Sequence, residues 1–332
     1  MPEIETPAPA TPGPAEPPQQ VEREFTVEAL TQRQLVFRRF LRHRGAMSAL
    51  VVFAVAVLLA FSSIGVGGIP GWWDASYTAS GQVVDGGSPT LDAMPSVIDG
   101  DGMQVGAHPF GQDDIGRDYF ALTMRGTQRS LLIALLVGLT ATVIGVVIGS
   151  VAGFFRGKID ALLMRGTDII LTIPLLLISA VVGRMNDGGA VSLSLLLGLV
   201  VWTSLARLVR GEFLSLREKE FVEAARAMGA NSTRIIFRHI VPNCLGTIIV
   251  NATLTIASAI LLETALSFLG FGVQNPDTSL GKLISEYQTA FQTRPWLFWW
   301  PGLFIVLIAL TVNFIGDGLR DAFDPKQTRV RA

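Results

Sequence analysis

Few residues in this 332-residue chain have the types and spacing that covalent chemistry needs. His43, His108 and His239 are far apart and show no metal-ligand spacing. The one cysteine, Cys244, excludes an internal disulfide framework and a multi-cysteine metal site. The nearest approach to a phosphate-binding loop is AGFFRGKI at 152–159, which lacks the glycine required at Ala152 and the hydroxyl required at Ile159. No catalytic, metal-binding or cofactor-binding residues are therefore assigned, and any ATP hydrolysis must come from another chain. Three groups remain that could do recognition chemistry. They are a cytoplasmic segment at 210–243, an exterior cluster of Asp113, Asp114, Arg117 and Asp118, and Glu263 in an apolar run.

The elements that must position these groups follow from hydropathy. Half of the residues are hydrophobic and only 16% are charged, with a mean hydropathy of +0.47, which excludes an ordinary soluble enzyme. Apolar runs long enough to cross about 30 Å of hydrocarbon recur without a charged face. They predict an all-α polytopic membrane protein with spans at 46–64, 131–154, 162–183, 191–209, 244–268 and 296–316. Of the 26 basic residues, only Arg117, Arg125, Arg129, Arg184, Lys282 and Arg294 fall outside when the N-terminus is placed inside. The positive-inside rule then puts both termini in the cytoplasm.

Residues 1–30 read as a disordered Pro-rich tail, and 31–45 as a basic interfacial segment with Leu35, Val36, Phe40 and Leu41 toward the membrane. The chain continues with a first span at 46–64, an extracytoplasmic extension at 65–130 closed by a helix around 115–127, a five-helix core at 131–316 and a cytoplasmic tail at 317–332. Trp296, Trp299 and Trp300 fit an interfacial anchor. Gly145, Gly149 and Gly153, four apart, let a second helix approach closely.

Within 210–243, helix formers run from Glu218 to Met228, with Phe221, Ala224, Ala225 and Met228 at helical spacing. Gly229 permits a left-handed end, Asn231 can cap a second helical stretch through Phe237, and Pro242 marks the return to the membrane. The segment is either a surface helix packed on its own spans or a lever that fits a partner's groove, with Glu223 and Arg226 at its edge. The exterior acids and Arg117 either form an ion-pair network that orders the extracellular helix or border a docking surface. Glu263 must face protein, a partner subunit or a wet cavity, because an unpaired carboxylate in lipid is costly.

The sequence EAARAMG, followed by Pro242 thirteen residues after Gly229, resembles the cytoplasmic EAA motif of binding-protein-dependent ABC importer permeases. Glu223, Ala224, Ala225, Gly229 and Pro242 match it; His239 and Val241 stand where isoleucine and leucine are common. The stretches 108–131, 263–276 and 313–325 resemble the second permease subunit of the peptide/nickel group. The resemblance implies the type I importer architecture with six transmembrane helices in the bacterial inner membrane. It also implies that the loop around Phe221–Arg226 docks on an ATPase and passes its movement to the membrane helices. The implied partners are a homologous second permease chain, two cytoplasmic ATPase subunits that hold ATP and Mg2+, and an external substrate-binding protein. Di- or oligopeptide is the implied cargo; nickel chelate, glutathione or another small ligand shares the same motifs. A secondary transporter or a non-transporting membrane assembly protein would leave the 210–243 segment unexplained.

Overall fold

The computed structural model describes residues 32–91, 105–185 and 189–323. The expected N-terminal tail, part of the loop 68–105 and the end of the C-terminal tail lie outside the described residues. Helices α1 (Gln32–Arg42) and α2 (Arg44–Ser63) meet at His43, whose Nδ1 accepts from the Ala46 amide at 3.0 Å and caps α2. A two-stranded hairpin, β1 (Gly65–Val66) and β2 (Ile69–Pro70), follows at the end of α2.

Helix α3 (Tyr119–Phe155) has 37 residues, about 55 Å of rise. The separate helix expected around 115–127 is therefore the first part of the second span. Asp118 starts it by accepting from the Ala121 amide at 2.7 Å, which satisfies one of the orphan donors of the first turn.

The third and fourth expected spans are both broken. Helices α4 (Gly157–Thr172) and α5 (Leu175–Arg184) meet at 87°, because Pro174 lacks an amide donor and holds Ile173 in extended backbone. Helices α6 (Ala190–Val201) and α7 (Thr203–Leu216) meet at 46° around Trp202. A short α8 (Glu220–Ala227) leads to α9 (Ser232–Arg234), which runs through a wide π-turn at Ile235–Ile240 into α10 (Val241–Phe268). Helices α11 (Leu280–Glu286) and α12 (Trp296–Phe323) complete the described chain. The last span thus continues past 316, and the first residues of the expected tail are helical. Among the described residues four helices are long and apolar enough to cross a membrane, or six crossings if each bent pair is one.

The glycine stripe on α3 sets how α7 is held. A Cβ on Gly149 would come within 2.5 Å of the Ala206 carbonyl oxygen. On Gly153 it would come within 2.5 Å of Phe213 Cβ and 2.9 Å of the Arg210 carbonyl oxygen. The two backbones approach so closely that no side chain fits between them. Replacing Gly153 with leucine is expected to separate α3 from α7 and lower stability by about 3 kcal/mol, measured as a fall in the thermal unfolding midpoint of the purified protein.

The interfacial-anchor expectation is corrected for two of the three tryptophans. Trp299 is exposed, but Trp300 stacks on Phe110 with ring centroids 3.8 Å apart, and Trp296 lies against Gly111. The region before α3 folds onto the start of α12, so Trp296 and Trp300 pack internally while Trp299 faces outward.

Candidate functional site

The segment after α7 is a small unit seated on a core of its own. Arg217 closes α7 by donating to the Phe154 carbonyl at the end of α3, with its guanidinium 5.8 Å from the Phe154 ring. Arg156 pairs with Glu218 at 2.7 Å across the same junction. Helix α8 then begins at Glu220, with Glu220 and Glu223 in its first turn and Arg226 in its last, each on the side the helix dipole favours. It ends in a Schellman arrangement: the Ala230 amide donates to Ala225 O at 3.0 Å, and the Gly229 amide to Arg226 O at 3.0 Å. Gly229 takes φ +81°, and Asn231 Oδ1 accepts from the Arg234 amide at 2.8 Å to start α9. The expected helix, left-handed turn and cap are present.

The expected apolar face needs correction. Val222 and Ala225 are fully buried among Phe154, Phe213, Ile235 and Ile240, whereas Phe221, Ala224 and Met228 are exposed, Met228 by 80%. The inward stripe is therefore Val222–Ala225, at i and i+3. The outward stripe, Phe221–Ala224–Met228, is apolar and open, with Glu223 and Arg226 exposed beside it. Sequence reasoning missed Val222 and Arg217; the three-residue spacing of Val222 and Ala225 was the available signal for the first.

A Cβ on Gly229 would meet nothing within 4 Å, so its glycine serves backbone conformation alone. Gly229→Ala is expected to cost about 1 kcal/mol through the positive φ, without a clash. Gly229→Asn should cost less, because asparagine tolerates that region; chemical denaturation of both variants checks the order.

Pro242 lies in the first turn of α10 and is exposed. It does not begin a new helix: the chain reaches it through the π-turn, where the Val241 amide donates to Ile236 O. The wide turn ends where Pro242 cannot donate, and Asn243 Nδ2 covers the His239 carbonyl at 2.6 Å. The unit is thus tied to α3 and α7 on one side and is continuous with α10 on the other.

At the opposite end of the bundle the exterior acids are structural. Asp113 is buried and accepts from the Ile115 amide (3.0 Å), the Arg117 amide (2.8 Å), Arg117 Nε (2.5 Å) and the Tyr287 hydroxyl (3.1 Å). Burial, then the Asp113 charge, pushes the Tyr287 phenol above its ordinary range. Asp118 accepts from Trp73 Nε1 at 3.1 Å and lies 2.8 Å from His108 Nδ1, besides capping α3. Asp114 is exposed and pairs with Arg294 at 2.7 Å. Of the network expected among these four residues only the Asp113–Arg117 pair forms; Asp114 pairs instead with Arg294, and Asp118 with His108 and Trp73 besides its cap.

Glu263 in α10 is fully buried and faces protein. It accepts from Ser267 Oγ (2.7 Å), Ser279 Oγ (2.6 Å) and Ser130 Oγ (3.4 Å). The last two serines in turn accept from the Lys282 and Leu280 amides at the start of α11, so one carboxylate joins α3, α10 and α11.

An exposed apolar stripe thus sits on a unit whose buried side is shared by α3, α7 and α10.

Residues 145–329 match the family described as binding-protein-dependent transport system inner membrane component, and residues 31–68 match the N-terminal TM domain of oligopeptide transport permease C. The oligopeptide transport system permease protein OppC of Mycobacterium tuberculosis is 39% identical, over 92% of this chain and 98% of its own length. Its namesake in Escherichia coli K12 is 35% identical, over 91% and 94%. Among solved structures, two crystal forms of the inward-facing MetNI methionine ABC transporter align at TM-scores of 0.50 and 0.51, with 21% and 20% identity. Each covers 61% of this chain and 96% of the other, a likeness of fold alone.

Proposed function

Because the chain belongs to the binding-protein-dependent transport system inner membrane components, we propose that it is one permease subunit of an ATP-driven oligopeptide importer and forms half of the translocation pathway. Each bent helix pair counts as one crossing, which makes six spans and leaves both termini in the cytoplasm of a bacterial cell, by the charge bias of its loops. The peptide cargo is taken from the names of the relatives.

The chain hydrolyses nothing. ATP and Mg2+ belong to two cytoplasmic ATPase subunits, a homologous second permease supplies the other half of the pathway, and an external binding protein delivers the peptide. The exposed, two-sided apolar surface of α4 and α5, with Leu162 74% and Ile169 65% accessible, supplies a face for the second permease.

The observation that carries this reading is the two-sided α8: Val222 and Ala225 are locked into the membrane bundle while Phe221, Ala224 and Met228 are left open. In this mechanism the ATPases close on ATP and push the open stripe. Helix α8 moves with α7 and the π-turn, and the bundle opens outward. ATP biases the two states only through contacts that differ between them.

The test is site-directed cross-linking. A cysteine at Met228 should form a nucleotide-sensitive cross-link to the ATPase subunit, while one at Val222 should not. Equal cross-linking at both positions, or none at Met228 in an assembled complex, would count against the reading.

A further inference from the structure

An apolar groove of about 310 Å³ runs between α2 and α12, lined by Gly45, Ser48, Ala49, Leu307, Leu310 and Phe314 among others. Its polar side chains are satisfied internally. Ser48 Oγ donates to Gly45 O at 2.9 Å, and Thr311 Oγ1 to Leu307 O at 2.8 Å, so the walls offer only hydrocarbon. The groove is too small for a partner helix: a helix is about 10 Å wide and rises about 5.4 Å per turn, so less than one turn would fit. A single flexible alkyl chain fits it.

The groove ends at the junction of α1 and α2, where Gly45 follows Arg44. Arg38, Arg42 and Arg44 are exposed there, and no acidic side chain among the described residues pairs with them. The nearby carboxylate of Asp321 is engaged by His43 at 3.4 Å. Phe37 and Leu41, 62% and 46% exposed, form an apolar stripe on α1 that suits the headgroup boundary. Phe40 and His43 lie against Gly318 of α12, which holds α1 across the mouth of the groove.

We propose that this is a binding site for an anionic phospholipid, with one acyl chain in the α2–α12 groove and the phosphate on the arginines at the α1–α2 junction. Charge complementarity selects the headgroup, and the dry groove selects a chain over a polar ligand. The assignment to the cytoplasmic leaflet rests on the proposed orientation; the lipid chemistry does not. The bound lipid would fix α1 against the end of α12.

The test counts lipids retained by the full importer complex in native mass spectrometry, after equilibration with phosphatidylglycerol or phosphatidylcholine. Wild-type protein should retain phosphatidylglycerol preferentially. Arg42→Gln with Arg44→Gln should weaken that retention about 10- to 30-fold, down to the phosphatidylcholine level, and the paired lysine substitutions should preserve it. Ser48→Leu should reduce retention of both lipids by filling the groove.

Retention of phosphatidylglycerol that is indifferent to the arginine pair or to Ser48→Leu would overturn the proposal. So would efficient cross-linking of Ser48→Cys to the second permease, which would place a protein over the groove. Loss of ATPase subunits from the preparation would count against the importer reading instead, and it is scored separately in the same spectra.

Discussion

Replacing Ala224 with tryptophan should uncouple the importer while leaving this chain folded, whereas the same change at Ala225 should unfold the seat of α8. The two alanines are adjacent in sequence and opposite in environment: Ala224 is exposed, and Ala225 is 1% accessible inside the core shared with Phe154, Phe213 and Ile240. An indole at Ala224 adds bulk to the stripe that meets the partner, and contacts at the centre of such an interface carry most of its energy. ATPase association is expected to weaken at least about 100-fold, roughly 2.7 kcal/mol, with the thermal midpoint of the isolated permease unchanged. An indole at Ala225 has no volume to enter and should cost about 3 kcal/mol of stability or prevent purification. Pull-down of the ATPase together with thermal unfolding separates the outcomes. If both variants bind normally, α8 is a surface helix and not the docking element.

The second large effect is expected at Glu263. Glu263→Leu removes the acceptor that Ser130, Ser267 and Ser279 share, leaving hydroxyls without partners in a dry site and loosening the start of α11 from α3 and α10. The cost should be about 3 kcal/mol, from at least one unsatisfied polar group together with a shape mismatch. Glu263→Gln keeps an acceptor oxygen for Ser267 and Ser279, and its amide can donate to Ser130 Oγ, so it should retain most of the stability. A thermal unfolding series of wild type, glutamine and leucine variants reads this directly. Near-equal loss in glutamine and leucine would mean that a charge, rather than hydrogen bonding, is required there.

What the sequence disclosed follows from how local each signal is. The turn at Gly229 and the cap at Asn231 were legible because both are set by residues within one helical turn. The apolar runs located the long helices, since lipid demands length and hydropathy whatever the neighbours, but not the breaks within two of the expected spans. The side of α8 that is buried was not legible: Phe221–Ala224–Met228 and Val222–Ala225 are both apolar stripes, and only the positions of Phe154 and Phe213 decide between them.

The break at Ile173–Pro174 carried a proline signal that an average over the whole run concealed. The bend at Trp202 carried neither proline nor glycine at the joint. Helix α3 extended further than its apolar run, because Thr123, Thr127, Gln128 and Ser130 are buried, Gln128 against α2 and Ser130 against α11, instead of meeting lipid. For Glu263, the need for a protein environment was readable from its charge. Two of its partners, Ser130 and Ser279, come from distant segments that only the fold brings together.

In the proposed mechanism this chain couples peptide passage to ATP hydrolysis in another subunit through the open face of α8. The most direct measurement is ATPase activity of the purified complex in lipid, with its external binding protein and candidate peptides, for wild type and Ala224→Trp. Peptide-stimulated hydrolysis is expected in the wild type, with loss of that stimulation in a variant whose permease chains remain assembled. An assembled wild-type complex with no associated ATPase activity, or stimulation unchanged by Ala224→Trp, would contradict this mechanism.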